Sequence, residues 1–145
     1  MVAVVRNKDG RYLVLKRSER EIAYPEMYTF PGGKVENNQT VEETLAEELR
    51  AEAGLIMKPG KLLLKDKSFT RQDSQTVKVF SYLCDVEDSS KVKISQDFTD
   101  YKWVSLKELR RLAHVGIEEE LRKAEEIFRL GIPVGKIATK SVRAD

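Results

Sequence analysis

At 145 residues the chain has the length of one domain able to bury an ordinary core. Apolar residues make up 41% and charged residues 34%, which excludes a disordered or fibrous chain. Twenty-six basic residues stand against 24 acidic ones with no Lys/Arg block among them, so no nucleic-acid partner is expected.

In chain order, the runs from Met1 to Asn7 and from Arg11 to Lys16 are rich in β-formers and flank Asp9-Gly10. These two residues accept the positive φ of a tight turn, so the pattern predicts a hairpin. A polar loop follows from Arg17 to Pro25. Met27 to Phe30 then leads into Pro31-Gly32-Gly33-Lys34-Val35-Glu36, and Asn37-Asn38-Gln39 reads as a turn.

Thr40-Val41-Glu42-Glu43 has the form of a capping box, in which Thr40 caps a helix and Glu43 reaches back. Val41, Leu45 and Leu49 recur every fourth residue, with Ala46 and Ala53 beside them, and Gly54 stands where a left-handed stop belongs. Long strands are predicted over Gly60–Thr70 and Thr76–Val86, joined by Arg71-Gln72-Asp73-Ser74. In the second, Val77 and Val79 oppose Phe80, Tyr82 and Cys84, as in a strand covered on both sides. A last strand runs through Tyr101–Val104, after which Ser105 caps a short helix to about Leu112. Ile117, Leu121, Ala124 and Phe128 mark one face of a final helix ending near Gly131. This order implies an α/β fold with a mixed sheet between helices, in a domain over residues 1–131 with a thinly basic tail at 132–145.

No apolar run has membrane-spanning length, and the N-terminus lacks the order of a secretory signal. Cys84 is the only cysteine; an internal disulfide is excluded, and a reducing, cytoplasmic setting is expected, with Cys84 as a buried strand residue. One histidine, His114, excludes a Ser/His/Asp or Cys/His reading and is expected to be exposed or capping. Gly32-Gly33 lacks the Gly-Lys-Ser/Thr of a P-loop.

The helix from Thr40 carries five acids, Glu42, Glu43, Glu47, Glu48 and Glu52, against one base, Arg50. The helix dipole favours Glu42 and Glu43 in the first turn but disfavours Glu48 and Glu52 in the last turns. One reading is a solvated acidic face. The other is a hard-cation site, because two carboxylates one turn apart can meet one Mg²⁺ whose remaining ligands are water and phosphate oxygens.

Gly33 to Leu55, GKVENNQTVEETLAEELRAEAGL, resembles the Nudix box: Gly, five residues, Glu, seven residues, Arg-Glu-apolar-any-Glu-Glu-any-Gly-apolar. Gly33, Glu48, Leu49, Glu52, Gly54 and Leu55 match; Gln39, Glu47 and Ala51 replace the early Glu, the Arg and the first Glu of the Glu-Glu pair. The hairpin, the Phe30–Glu36 entry and Trp103-Val104-Ser105-Leu106 extend the resemblance over roughly residues 1–130.

The resemblance implies a Nudix-type α/β/α sandwich and a hydrolase dependent on Mg²⁺ or Mn²⁺ that cleaves the diphosphate of a nucleoside diphosphate derivative. Gly33, Glu48 and Glu52 would hold the metal. Glu48, Glu52 and Asp97 would be catalytic, with Glu48 or Asp97 handling the attacking water. Asp97 lies six residues before Trp103, with Asp100 nearby. Arg17, or Lys16 in its place, would meet the diphosphate, and Tyr28 and Phe80 would stack on a base unless they belong to the core. The family's Glu–Arg brace would persist through a Gln39 amide, or Glu47 would face solvent. Ala51 removes a third carboxylate and motivates the alternative, a non-catalytic Nudix module that binds a nucleotide or meets a protein partner.

Overall fold

Asn7 closes the first turn: its amide donates to the Arg11 carbonyl (2.8 Å), and its side chain accepts from the Asp9 and Arg11 amides (3.0 Å each). The turn is present as predicted, but its flanking strands, β1 (Val2–Val5) and β2 (Tyr12–Arg17), do not form a hairpin. A lone bridge, Arg6 to Tyr12, joins them before they part into different sheets. Both edges of β1 are already taken. One pairs in parallel with a later strand, and the other receives Pro31–Gly33, with Ala3 N donating to Pro31 O (2.8 Å) and Gly33 N to Met1 O (2.9 Å).

The computed structural model describes residues 1–70 and 73–131. The 132–145 tail and the Arg71-Gln72 part of the predicted strand junction lie outside the described residues. After β2 come β3 (Tyr28–Thr29), α1 (Val41–Glu48) with a π-helical continuation (Leu49–Ala53), β4 (Met57–Thr70), β5 (Thr76–Val86), β6 (Phe98–Val104), α2 (Leu106–Leu109) and α3 (Glu118–Arg129). One sheet has the order β1-β5-β4, with β1 parallel and β4 antiparallel to β5; it is mixed, as expected. The other, β3-β2-β6, is antiparallel.

Side-chain alternation makes the sheets a middle layer. Ala3, Val5, Leu13, Leu15, Cys84 and Val86 point to one side, onto Leu45, Leu49 and Ala53. Val4, Tyr12, Val14 and Leu83 point to the other, onto Leu109, Ile117, Leu121 and Ala124 of α2, α3 and the segment between them. Full burial of each such Leu contributes about 1.5–3 kcal/mol. This is the expected α/β/α arrangement. Cys84 sits in it at 2% exposure, and burial pushes its thiol up to about 12.

The helix termini follow the sequence closely. Thr40 Oγ1 accepts from Glu43 N (3.0 Å) and Glu43 Oε1 accepts from Thr40 N (2.8 Å). Ser105 and Glu108 form the same reciprocal pair at the start of α2, which ends at Leu109 rather than continuing to Leu112. His114 is neither exposed nor the cap of α3, whose N-cap is Ile117 without a side-chain hydrogen bond; half-buried, it closes the turn before the helix, its Nδ1 accepting from the Gly116 and Ile117 amides (3.0 and 3.3 Å). No helix among the described residues is long and apolar enough to cross a membrane.

Candidate active site

The site begins where Pro31–Gly33 lies along β1. A Cβ on Gly32 would enter the Met1 carbonyl oxygen and stand 2.8 Å from Val2 Cα, so only glycine lets the two backbones run this close. A Cβ on Gly33 would meet Glu48 instead, 2.5 Å from Oε2 and 2.6 Å from Cδ. The missing side chain of Gly33 is therefore the space that the Glu48 carboxylate fills. The Gly33 carbonyl accepts from the Met1 amino nitrogen at 2.7 Å.

Glu52 approaches the same turn from the next helical turn, and its Oε1 accepts from Gly32 N at 3.0 Å. The sequence predicts a regular α-helix through Ala53, whereas the backbone widens to π-type winding over Leu49–Ala53. The wider turn still leaves Glu48 and Glu52 one turn apart on the same side. Gly54 then ends the helix at φ 70°, as predicted. Burial pushes the Glu52 carboxyl up to about 8; the Gly32 amide opposes the rise, while the adjoining Glu48 carboxylate and, more weakly, Asp97 add to it. Two carboxylates thus meet at the Gly32-Gly33 turn, where the positive charge nearest to Glu48 is the Met1 ammonium that the Gly33 carbonyl holds.

These are hard oxygen donors, and their mutual repulsion is what a divalent cation relieves, so Gly33, Glu48 and Glu52 fit the Mg²⁺ or Mn²⁺ that the sequence implies. Ala51 is exposed and adds no ligand. Among the described residues there is no cluster of three or more His, Cys, Asp or Glu side chains able to hold a metal. The cation would complete its shell with water and phosphate oxygens.

The departures at Gln39 and Glu47 meet each other. Gln39 Nε2 donates to Glu47 Oε2 at 2.7 Å, and Gln39 Oε1 accepts from Thr44 Oγ1 at 2.9 Å. Glu47 is exposed but tied to the loop, so the brace and the solvent-facing reading both describe it.

The remaining predicted residues separate. Asp97 is exposed, and its backbone carbonyl accepts from Ser18 N at the end of β2 (3.2 Å). Asp100 is engaged elsewhere, accepting from the Tyr28 hydroxyl at 2.7 Å. Tyr28 itself is a core residue at 6% exposure, so its ring offers no free face for a base. Its place in an apolar run at β3, between β2 and the His114 turn, is what buries it. Phe80 is half-buried next to Ser81, which pairs with Val2, and strand alternation puts it on the α1 face with Tyr82 and Cys84. Arg17 turns back on its own loop, with Nε donating to Ala23 O (2.9 Å) and a guanidinium nitrogen 3.6 Å from Glu21.

Sequence reading overlooked Glu120. Its carboxylate is 1% exposed on α3, with Oε2 3.1 Å from Lys67 Nζ and 3.4 Å from Ser81 Oγ, while Oε1 has no hydrogen-bond partner among the described residues. The signal was available: Glu120 falls three residues after Ile117 and four before Ala124, inside the apolar stripe.

A turn that presses Gly33 onto a helical Glu48, with Glu52 one turn on, inside an α/β/α sandwich, defines a Nudix-type domain. The sequence pattern of the NUDIX domain matches residues 1–124, and the chain belongs to the Nudix family. It is 31% identical over 114 residues to nucleoside triphosphatase NudI of Escherichia coli O139:H28, spanning 70% of this chain and 77% of that protein. Among solved structures, it resembles the MutT protein of Methanosarcina mazei Go1 with a TM-score of 0.68 and 27% identity, over 91% and 93% of the two chains. An Ap4A hydrolase of C. elegans shares the fold at a TM-score of 0.68 and 20% identity, over 90% of this chain and 95% of that one.

Proposed function

We propose that this chain is a divalent-metal-dependent hydrolase that cleaves the diphosphate of a nucleoside diphosphate derivative. The observation that carries the reading is the convergence of Glu48 and Glu52 on the Gly32-Gly33 turn, with the Glu52 carboxyl raised by burial and by its neighbour. The nucleoside triphosphatase name of the NudI relative supports the substrate class.

Glu48, Glu52 and the Gly33 carbonyl would hold Mg²⁺ or Mn²⁺, which when bound supplies Lewis-acid polarisation of the phosphate oxygens. Asp97 or Glu48 accepts a proton from water as the water oxygen bonds to phosphorus and the bridging P–O bond breaks, its electrons leaving with the departing phosphate. Exposure favours Asp97, which is open to solvent, electrostatically coupled to Glu52 and not needed as a ligand. Phe80, half-buried on the α1 face, remains the candidate for stacking on a base, and Arg17 can meet phosphate only by releasing Ala23 and Glu21.

One observation favours the alternative of a non-catalytic module: the exposed Ala51 where a third carboxylate would stand. Nucleoside triphosphates, dinucleoside polyphosphates and nucleotide sugars, incubated with Mg²⁺ or Mn²⁺ and assayed for released phosphate or monophosphate, separate the two. The hydrolase reading expects turnover that Glu52→Gln abolishes. Inactivity of the wild type together with activity of Ala51→Glu would overturn it.

A further inference from the structure

Arg17 ends β2, and among the described residues both partners of its guanidinium lie in the loop that follows. Its Nε donates to Ala23 O at 2.9 Å, and a terminal nitrogen stands 3.6 Å from Glu21 Oε1. Backbone bonds keep Glu21 in that place: Glu21 N donates to Ser18 O (3.2 Å), and Glu26 N donates to Arg17 O (3.1 Å), closing the loop at its base. The closed loop carries a wholly exposed Ile22 and holds Tyr24 and Glu26 at φ 50° and 61°, which non-glycine residues rarely adopt.

This staple borders the proposed metal site. Arg17 is paired with Phe98 on β6, Ser18 N donates to Asp97 O (3.2 Å), and Ser95 N donates to Glu52 O (3.1 Å). One short segment thus joins the loop to the helical turn that carries Glu52. Glu21 also lines a crevice of about 400 Å³ there, with Ser18, Arg20, Gln96 and Asp97. At 3.6 Å, Glu21 holds Arg17 by charge and not by a hydrogen bond, and the Nε donor is spent on a neutral carbonyl. A phosphate can take the same guanidinium fork with two charge-assisted hydrogen bonds, which suffices to displace both contacts. The loop's own carboxylate therefore stands on Arg17 where a phosphate oxygen would.

We propose that Glu21 is an internal competitor of the substrate diphosphate for Arg17: the loop keeps the guanidinium occupied, and diphosphate binding requires the Glu21 and Ala23 contacts to open. The inference rests on the hydrolase reading for the identity of the anion. The apparent affinity then scales with the fraction of molecules in which Arg17 is free, so loss of the Glu21 charge raises it. Plain repulsion between Glu21 and the anion acts in the same direction, but it does not depend on Arg17.

The test titrates methylenediphosphonate, a diphosphate whose P–C–P bridge resists hydrolysis, with Mg²⁺ into wild type, Glu21→Gln, Arg17→Met and the double variant by calorimetry. Arg17→Met should weaken binding about tenfold, the scale of a lost hydrogen bond to a charged group. Glu21→Gln should tighten binding about two- to fivefold, the scale of a partly exposed ion pair. In the Arg17→Met background the same substitution should change nothing. Equal tightening in both backgrounds would mark repulsion alone and overturn the proposal. Binding by Glu21→Gln that is no tighter than wild type would overturn it too, as would an Arg17→Met protein that binds as well as wild type. The readout needs no turnover. If the pattern holds while no nucleotide is cleaved, the competition stands and the hydrolase reading fails; cleavage without the pattern keeps that reading and removes the competitor.

Discussion

The Gln39 amide donates to the Glu47 carboxylate across 2.7 Å, joining two residues that each depart from the family pattern. Gln39 is held from its other end by the Thr44 hydroxyl (2.9 Å), so its orientation is set by two partners. A neutral donor and a carboxylate thus tie the loop to the helix where the family pattern has a carboxylate and a guanidinium. The polarity across the brace is inverted, and the Glu47 carboxylate finds a donor because residue 39 is an amide and not a second carboxylate.

Gln39→Glu should therefore destabilise the fold, because it sets two carboxylates face to face. Removing one exposed hydrogen bond and adding repulsion costs about 1 kcal/mol. The double variant Gln39→Glu/Glu47→Arg should recover that loss, whereas Glu47→Arg alone should not raise stability. Urea denaturation midpoints of the four proteins check the cycle, and additive effects would refute a direct coupling.

The raised Glu52 carboxyl makes a pH prediction. Its pKa in the fold, about 8, lies above the ordinary 4.5, so between these values the native state binds the extra proton. Metal-free protein should accordingly lose stability as pH rises from about 4.5 to 8, the cost being absent below that window and complete above it. Glu52→Gln should flatten this slope. The same proton competes with the cation, so Mg²⁺ affinity should climb as pH rises towards 8, read by calorimetry.

How much of this was legible depended on the range of the interactions involved. The helix caps at Thr40 and Ser105 rest on contacts three residues apart, and both were readable from adjacent letters. The parting of β1 and β2 was not, because it follows from who occupies the edges of β1: β5, some 80 positions away, and Pro31–Gly33. Asn7 and Gly10 specify a turn, and a turn does not determine which strands pair across it. At the site, motif spacing located Glu48 and Glu52. The loss of Tyr28 to the core came from a third strand and from the Asp100 partner that satisfies its hydroxyl.

Lys67 and Glu120 form an ion pair at 3.1 Å in which the carboxylate is buried and the ammonium is partly open to water. Lys67 Nζ also donates to Gly116 O (3.1 Å), so it ties β4 to the start of α3. Lys67→Met leaves the buried carboxylate with Ser81 as its remaining partner and should cost about 2 kcal/mol, below the range for a fully buried pair because Lys67 is partly solvated. Lys67→Met/Glu120→Met should regain most of that loss, since no uncompensated charge then stays inside. Chemical denaturation measures both; equal stability of Lys67→Met and wild type would mean the pair contributes nothing.

Gly32 and Gly33 should respond differently to alanine, although they are neighbours. At Gly32 the added methyl meets Met1 and Val2 backbone, which cannot move without opening the β1 contact. Gly32→Ala should therefore lower the melting temperature by several degrees, the size of about 1–2 kcal/mol in a domain this large. At Gly33 the nearest atoms the methyl meets are Oε2, Cδ and Cγ of the Glu48 side chain, which can rotate away. Gly33→Ala should keep nearly the wild-type melting temperature yet bind Mg²⁺ at least about tenfold more weakly, because one ligand has been moved by more than coordination tolerates. Calorimetric titration with Mg²⁺ and a thermal melt on each variant distinguish the two roles. A Gly33→Ala protein that binds Mg²⁺ normally would show that Glu48 does not need the space beneath Gly33, and would remove Glu48 from the metal site.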